Sequence, residues 1–170
     1  MLTMIENVHV YDPEDLGVND IVLCYDKIVE IGKGLFASYP KAKRIEGKGL
    51  MATAGFIDQH VHVTGGGGEG SFRTRVPELK FTDCIRAGVT TLVGVLGTDG
   101  IVAKTKALNE EGITAYCLTG SYEYPTITLT GDVKKDIAFI KEVLGVKVAL
   151  SDHRCSNLTK EELIRLVSDV

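Results

Sequence analysis

The chain has 170 residues, 44% apolar and 25% charged, a balance that excludes the low-hydrophobicity disordered class. Its formal net charge of −4 comes without a basic stripe, which argues against nucleic acid and anionic membrane as partners. No apolar run approaches the ~18 residues of a membrane span, the acidic N-terminus does not read as a signal peptide, and Cys24, Cys84, Cys117 and Cys155 lack CxxC spacing, so a reduced, cytoplasmic protein is expected.

In chain order, "IENVHVYDPEDLG" alternates apolar and polar residues and stops at Asp12-Pro13. "DIVLCYDKIVEIGKG" reads as two strands joined at Asp26-Lys27 and closed by glycines. Residues 1–52 are therefore expected to form a small β unit, too small to hold itself together well alone. His9 falls within it and reads as a surface or sheet residue.

Residues 53–170 carry a different pattern. "GFIDQHVHV" is an apolar strand, "PELKFTDCIRAG" a helix with Gly88 as its stop, and "VTTLVGVLG" a second strand. "IVAKTKALNEEG" is a second helix and "ITAYCLTG" a third strand. "DVKKDIAFIKEVLG" predicts a third helix over 132–145, with Ile137, Ile140, Val143 and Leu144 on one face. "VKVALSD" predicts a fourth strand, and "TKEELIRLVSDV" a fourth helix behind the N-cap candidate Thr159.

Alternating strands and helices imply parallel strands joined by crossover helices, and near-continuous apolar strands imply burial of both faces. The first three helices are expected to stop at Gly88, Gly112 and Gly145, with a strand directly after each. The long segments 63–76, 97–101, 120–131 and 151–158 all follow strands, the end at which (β/α)8 barrels build their sites. Four βα units are half of such a barrel, so the pattern fits a small open α/β sheet or a piece of something longer.

Two sets of residues carry candidate chemistry. His60 and His62, two apart on a strand, point the same way and form a ready pair of metal ligands, with Asp58 expected on the same face to orient one of them. Their bland alternative is a polar strand end meeting backbone or water. Lys147 is expected near the start of the fourth strand, where burial favours the neutral amine. A neutral amine reacts with carbon dioxide to give a carbamate, an oxygen ligand able to bridge two metals. A lysine paired with a carboxylate, or snorkelling outward, is the plainer reading.

"AGFIDQHVH", with HxH on the first barrel strand and a lysine on the fourth, resembles the amidohydrolase superfamily, which usually has proline where Ala54 stands. "GFIDQHVHVTGGGGEG", "AGVTTLVGVLGTD", "KTKALNEEGITAYCLTGSY" and "GVKVALSDHR" resemble, more narrowly, the isoaspartyl dipeptidase family, from about residue 48 onward. The resemblance implies the first half of a (β/α)8 TIM-like barrel, preceded by a β segment that is part of a flanking β-sandwich. It implies a zinc hydrolase that cleaves the isopeptide bond of β-aspartyl dipeptides by attack of metal-bound hydroxide.

By the same resemblance, His60 and His62 bind one metal of a binuclear Zn2+ centre, and carboxylated Lys147 bridges both. Tyr122 polarises the scissile carbonyl, and Glu69 holds the free α-amino group. Gly67, Gly68 and Thr98 hold or flank the substrate's carboxylate end, and Arg154 supplies a fork for a carboxylate. Asp152 and His153 are near neighbours of the site and are expected only to support its contact residues or to order their loop.

The family takes two further histidines from strands 5 and 6 and a proton-shuttling aspartate from strand 8, and no histidine follows His153 here. The expected partner is therefore a C-terminal barrel half, missing or supplied as a separate polypeptide, and the resemblance also implies a homo-oligomer. Two other readings stay open: a cyclic amidohydrolase of the dihydroorotase or hydantoinase kind, which Glu69 argues against, and a barrel scaffold without chemistry.

Overall fold

The computed structural model describes residues 1–67, 70–96 and 99–170. The chain divides into two units, Met1–Ala54 and Gly55–Val170.

The first unit is one five-stranded mixed sheet. β1 (Leu2–Tyr11) lies at its centre, antiparallel to β2 (Asp15–Cys24), which continues antiparallel into β3 (Lys27–Gly32). On its other edge β1 pairs in parallel with β4 (Lys43–Glu46) and then β5 (Met51–Thr53). Alternation along β1 breaks between Ile5 and Val8, where Asn7 takes φ 57°. Met4, Val22, Leu35 and Ala42 form one small core, and Val8, Val10 and Ile21 another. Buried Asp20 accepts the backbone N–H groups of Asn7 and Leu35, each at 3.0 Å, and so satisfies the bulge. His9 stacks on Tyr11 and meets Asp15 at 2.6 Å on the surface of this unit.

The second unit is a mixed α/β layer. Its sheet runs in the order β11-β10-β9-β6, all neighbours parallel. The strands are β6 (Phe56–Val61), β9 (Val89–Gly94), β10 (Thr114–Thr119) and β11 (Val143–Val146). The helices are α1 (Phe81–Arg86), α2 (Asp99–Glu111), α3 (Val133–Phe139) and α4 (Lys160–Asp169). Leu92, Ile101, Leu108, Ile113, Ala115, Cys117 and Val143 fill one core of this unit. A miniature antiparallel pair, β7 (Gly66–Gly67) with β8 (Arg75–Val76), interrupts the first crossover. Thr159 caps α4 as predicted and completes a capping box: its hydroxyl takes the Glu162 N–H, and the Glu162 carboxylate takes the Thr159 N–H. Among the described residues no helix is long and apolar enough to cross a membrane.

Three sequence expectations need correction. The third helix stops at Phe139, and Val143–Val146 is strand rather than helix, so Gly145 lies within β11 and not at a helix end. The β10 ladder takes over, because Cys117 donates its N–H to the Glu142 carbonyl at 2.8 Å. Val143 still reaches the core its helical position would have reached, which is why the 3.6-residue pattern misled. The first helix is also shorter than "PELKFTDCIRAG": residues 77–80 stay extended, with the Leu79 N–H bonded to the Val63 carbonyl. Lastly, the strands are not buried on both faces. In β10, Ala115, Cys117 and Thr119 are buried, whereas every residue of β6 except Val61 is exposed.

Candidate active site at the strand ends

The site builds from the C-terminal ends of β6, β10 and β11. His60 ends the exposed part of β6, and His62 follows one residue after the strand. Their rings lie 5.7 Å apart between centroids, 29° from parallel, so the HxH pair does share one face. Val61 and Val63 turn the other way, against the apolar core. Asp58 does not join the histidines as expected. A register shift between Asp58 and Val61 breaks the alternation, and Asp58 instead lines a cavity with Leu79, Asp83, Cys84 and Ala87, beside α1. Its carboxylate accepts the backbone N–H of His60 at 3.0 Å.

Lys147 stands at the end of β11, immediately after Val146, and not near a strand start. The shortened helix moved the strand toward the N-terminus and carried Lys147 to its far end. That shift puts the lysine at the same end of the sheet as the histidines. Its N–H bonds to the Thr119 carbonyl at 2.7 Å, extending the parallel ladder by one step. Gly120, with φ 81°, makes room beside it: a Cβ there would fall 2.6 Å from the Lys147 carbonyl oxygen.

The His62 imidazole is pushed below its ordinary pKa by burial, and then by the positive charges of His60, Lys147 and Arg154. A neutral imidazole is the form that ligates a metal. Gly66 takes φ 138°, a conformation that favours glycine, and a Cβ there would make ordinary van der Waals contact with the His62 ring at 3.4 Å from Nδ1.

Tyr122 and Arg154 come together in one stack, the guanidinium carbon 4.1 Å from the centre of the phenol ring. Arg154 donates Nε to Asp152 Oδ1 at 2.8 Å and Nη2 to Asp152 Oδ2 at 2.7 Å, and its own N–H also bonds that carboxylate. These bonds hold the Asp152 carboxyl far below the usual carboxylate range. The fork expected for a substrate carboxylate is thus engaged by Asp152, which stands behind the arginine as a supporting residue and aims it. His153 is exposed, 3.6 Å from the same carboxylate.

Gly67 is described, in β7 with φ 75°. Gly68, Glu69 and Thr98, expected to hold the substrate, lie outside the described residues. Among the described residues no group of three or more His, Cys, Asp or Glu side chains stands close enough to hold a metal. The donors that fit a metal are the two imidazoles, with the Lys147 amine at the same end of the sheet after the opposite edge strand, β11.

Sequence reasoning missed Asp136 and Gly120. Asp136 reads as one more polar residue of α3, yet it is fully buried with both carboxylate oxygens bonded. Gly120 gave a signal in its position, directly after an apolar strand, which was read only as a strand end.

Parallel strands with helical crossovers and polar residues gathered at the strand ends define a mixed α/β fold that the chain shares with amidohydrolases. A dihydropyrimidinase from Brevibacillus agri NCHU1002 (TM-score 0.69, 20% identity, 99% of this chain and 37% of that one) and a dihydroorotase (0.64, 18%, 99% and 48%) share this fold.

More particularly, the chain matches β-aspartyl dipeptidase from Fervidobacterium islandicum AW-1. One structure of that enzyme, in complex with β-Asp-Leu, aligns at 42% identity and TM-score 0.87 over 100% of this chain and 47% of that one. A second aligns at 45% and 0.83 over 99% and 48%. An adenine deaminase from Gluconobacter oxydans is 37% identical over 93 residues, 53% of this chain and 14% of that protein. No family model matches. The likeness to β-aspartyl dipeptidase therefore extends along the whole chain, as it would for an N-terminal portion of an amidohydrolase, and the chain spans about half the length of the dipeptidase structures.

Proposed function

We propose that this chain is the first half of a (β/α)8 barrel and supplies the N-terminal side of the active site of a metal-dependent β-aspartyl dipeptidase. The observation that supports it best is the gathering of His60, His62, Lys147, Tyr122 and Arg154 at one end of a parallel sheet, in a chain 42% identical throughout to a dipeptidase solved with β-Asp-Leu.

His60 and His62 would hold one metal of a binuclear zinc centre, and Lys147, as a carbamate formed with carbon dioxide, would bridge to the second. Zinc bound there would supply Lewis acidity and a water made acidic near neutral pH. Tyr122 would donate its hydroxyl to the carbonyl oxygen of the isopeptide bond as charge develops there, oriented by the guanidinium stacked on its ring. Glu69 would accept the free α-amino group, while Gly67, Gly68, Thr98 and Arg154 would flank the carboxylate end. A separate C-terminal barrel half would add the remaining ligands and the proton donor to the leaving amine, within a cytoplasmic homo-oligomer.

Mass spectrometry of the denatured protein, zinc quantification of the native one and turnover assays test this together. The expected outcome is about two zinc ions per assembled site and hydrolysis of β-Asp-Leu in preference to dihydroorotate. Preference for dihydroorotate would overturn the substrate class. Zinc content unchanged by His60→Ala and His62→Ala would overturn the metal site.

A further inference from the structure

Asp136 is a buried carboxylate that the proposed chemistry does not use. It sits in α3 at 0% exposure, and no basic side chain pairs with it among the described residues. Its partners are four donors from two places. Oδ2 accepts the Thr119 hydroxyl at 2.5 Å and the Leu129 N–H at 2.9 Å. Oδ1 accepts the Thr130 N–H at 2.9 Å and the Thr130 hydroxyl at 2.6 Å. Burial pushes this carboxyl upward, but the bonds from Thr119, Thr130 and Leu129 outweigh it and leave it below its ordinary value.

The donors bracket the segment that carries Tyr122. Thr119 closes β10 just before that segment, and Leu129 and Thr130 stand at its far end, so one carboxylate ties both ends of the nine-residue stretch 120–128 to α3. The Thr119 carbonyl, on the residue whose hydroxyl Asp136 holds, accepts the Lys147 N–H at 2.7 Å. Gly120 then packs on the Lys147 carbonyl. Within the stretch, the Tyr124 N–H bonds the Ser156 hydroxyl at 3.0 Å, linking it to the loop of Asp152 and Arg154. A carboxylate filling all these acceptor roles is not replaceable by an amide, which offers one acceptor oxygen and two unwanted donors.

We propose that Asp136 is a positioning residue: it fixes the 120–128 loop, and through Thr119 the backbone of Lys147, so that Tyr122 and Lys147 keep one mutual geometry. Its catalytic meaning rests on the dipeptidase function proposed above; the positioning itself does not.

The test is residue-resolved hydrogen–deuterium exchange of the full chain, wild type against Asp136→Asn and Thr130→Val, with Thr130→Ser as the conservative variant. Asp136→Asn is expected to speed exchange at Leu129, Thr130 and Lys147 about tenfold, the measure of a lost buried hydrogen bond, while β9 amides keep wild-type rates. Thr130→Val should give a smaller change at the same amides, and Thr130→Ser none.

In the assembled enzyme, the kcat of Asp136→Asn for β-Asp-Leu should fall about a hundredfold, as a small misplacement does, with KM within about twofold. Wild-type exchange at Leu129, Thr130 and Lys147 in Asp136→Asn would overturn the proposal. So would global unfolding of both Asp136→Asn and Thr130→Val, which would make the role one of fold stability. If Asp136→Asn alone fails to fold, exchange in Thr130→Val decides. A wild-type protein without turnover would sink the dipeptidase function and leave the exchange result to stand by itself.

Discussion

In β10, Ala115 and Cys117 are sealed at 1% and 0% exposure; in β6, four strands away in sequence order but in the same parallel sheet, Phe56 and Ile57 stand at 61% and 65%. Both strands are six residues long, but β6 carries Asp58, Gln59 and His60 where β10 has only threonines as its non-aromatic polar residues. β10 has a strand on either side, and α2 and α3 both lie against it, whereas β6 is an edge strand and the short α1 lies against β9. The two histidines therefore ride on the strand with the least support. The Tyr122 loop follows the central strand β10, and Lys147 follows the opposite edge strand, β11, against which α3 packs. A binding site assembled from both would depend on whatever steadies β6.

The largest effect should come from the shared core. Leu92 is fully buried in β9, which separates the two strands, and Leu92→Ala should cost about 2–5 kcal/mol, measured by denaturant unfolding. A cost below about 1 kcal/mol, the range of surface sites, would mean that β9 is as loosely held as β6 and would erase the contrast.

Most of the architecture was legible in the sequence because it rests on strong local signals: glycine at Gly88 and Gly112 after helices, the N-cap Thr159, and apolar runs of strand length. HxH was legible because alternation along a strand is a short-range property. Three features were not. Asp58 was misplaced because a β-bulge reverses alternation and leaves no mark in composition. The end of α3 was missed because Val143 and Leu144 suit a helix face and a strand equally, and pairing with β10 decided it. Asp136 was invisible because its importance lies in donors at Thr119, Leu129 and Thr130, which only the folded chain brings to it.

Gly120 sharpens the contrast on the well-supported side. A Cβ there would sit 2.5 Å from Thr126 Cγ2 and 2.6 Å from the Lys147 carbonyl oxygen, at φ 81°. Gly131 has the same φ of 81° with nothing within 4 Å of its Cβ position. Gly131→Ala should therefore cost about 1 kcal/mol from the left-handed backbone alone. Gly120→Ala should cost about 2–3 kcal/mol, strain and collision together. Equal losses in thermal unfolding would show that the strand end beside Lys147 yields easily, against the rigidity argued for it.

The smallest effect is the most informative about β6. Ile57 is 65% exposed, so Ile57→Ala removes little that folding has buried and should change the stability of the chain alone by no more than about 0.5 kcal/mol. Its partner in the ladder is Thr91, on the side facing β9; its other edge carries unpaired backbone groups, the kind that another strand completes. If a C-terminal barrel half pairs there, as the proposed function requires, Ile57 becomes buried in the assembled protein. The same substitution should then cost about 1 kcal/mol or more, the scale for taking buried methyl groups from an aliphatic side chain. Unfolding measured on the chain alone and on the assembled protein separates the cases. A penalty near 0.5 kcal/mol in both would leave the histidine strand bare and the barrel unclosed, while a penalty that grows on assembly would mean that the edge bearing His60 is steadied by the partner that completes the site.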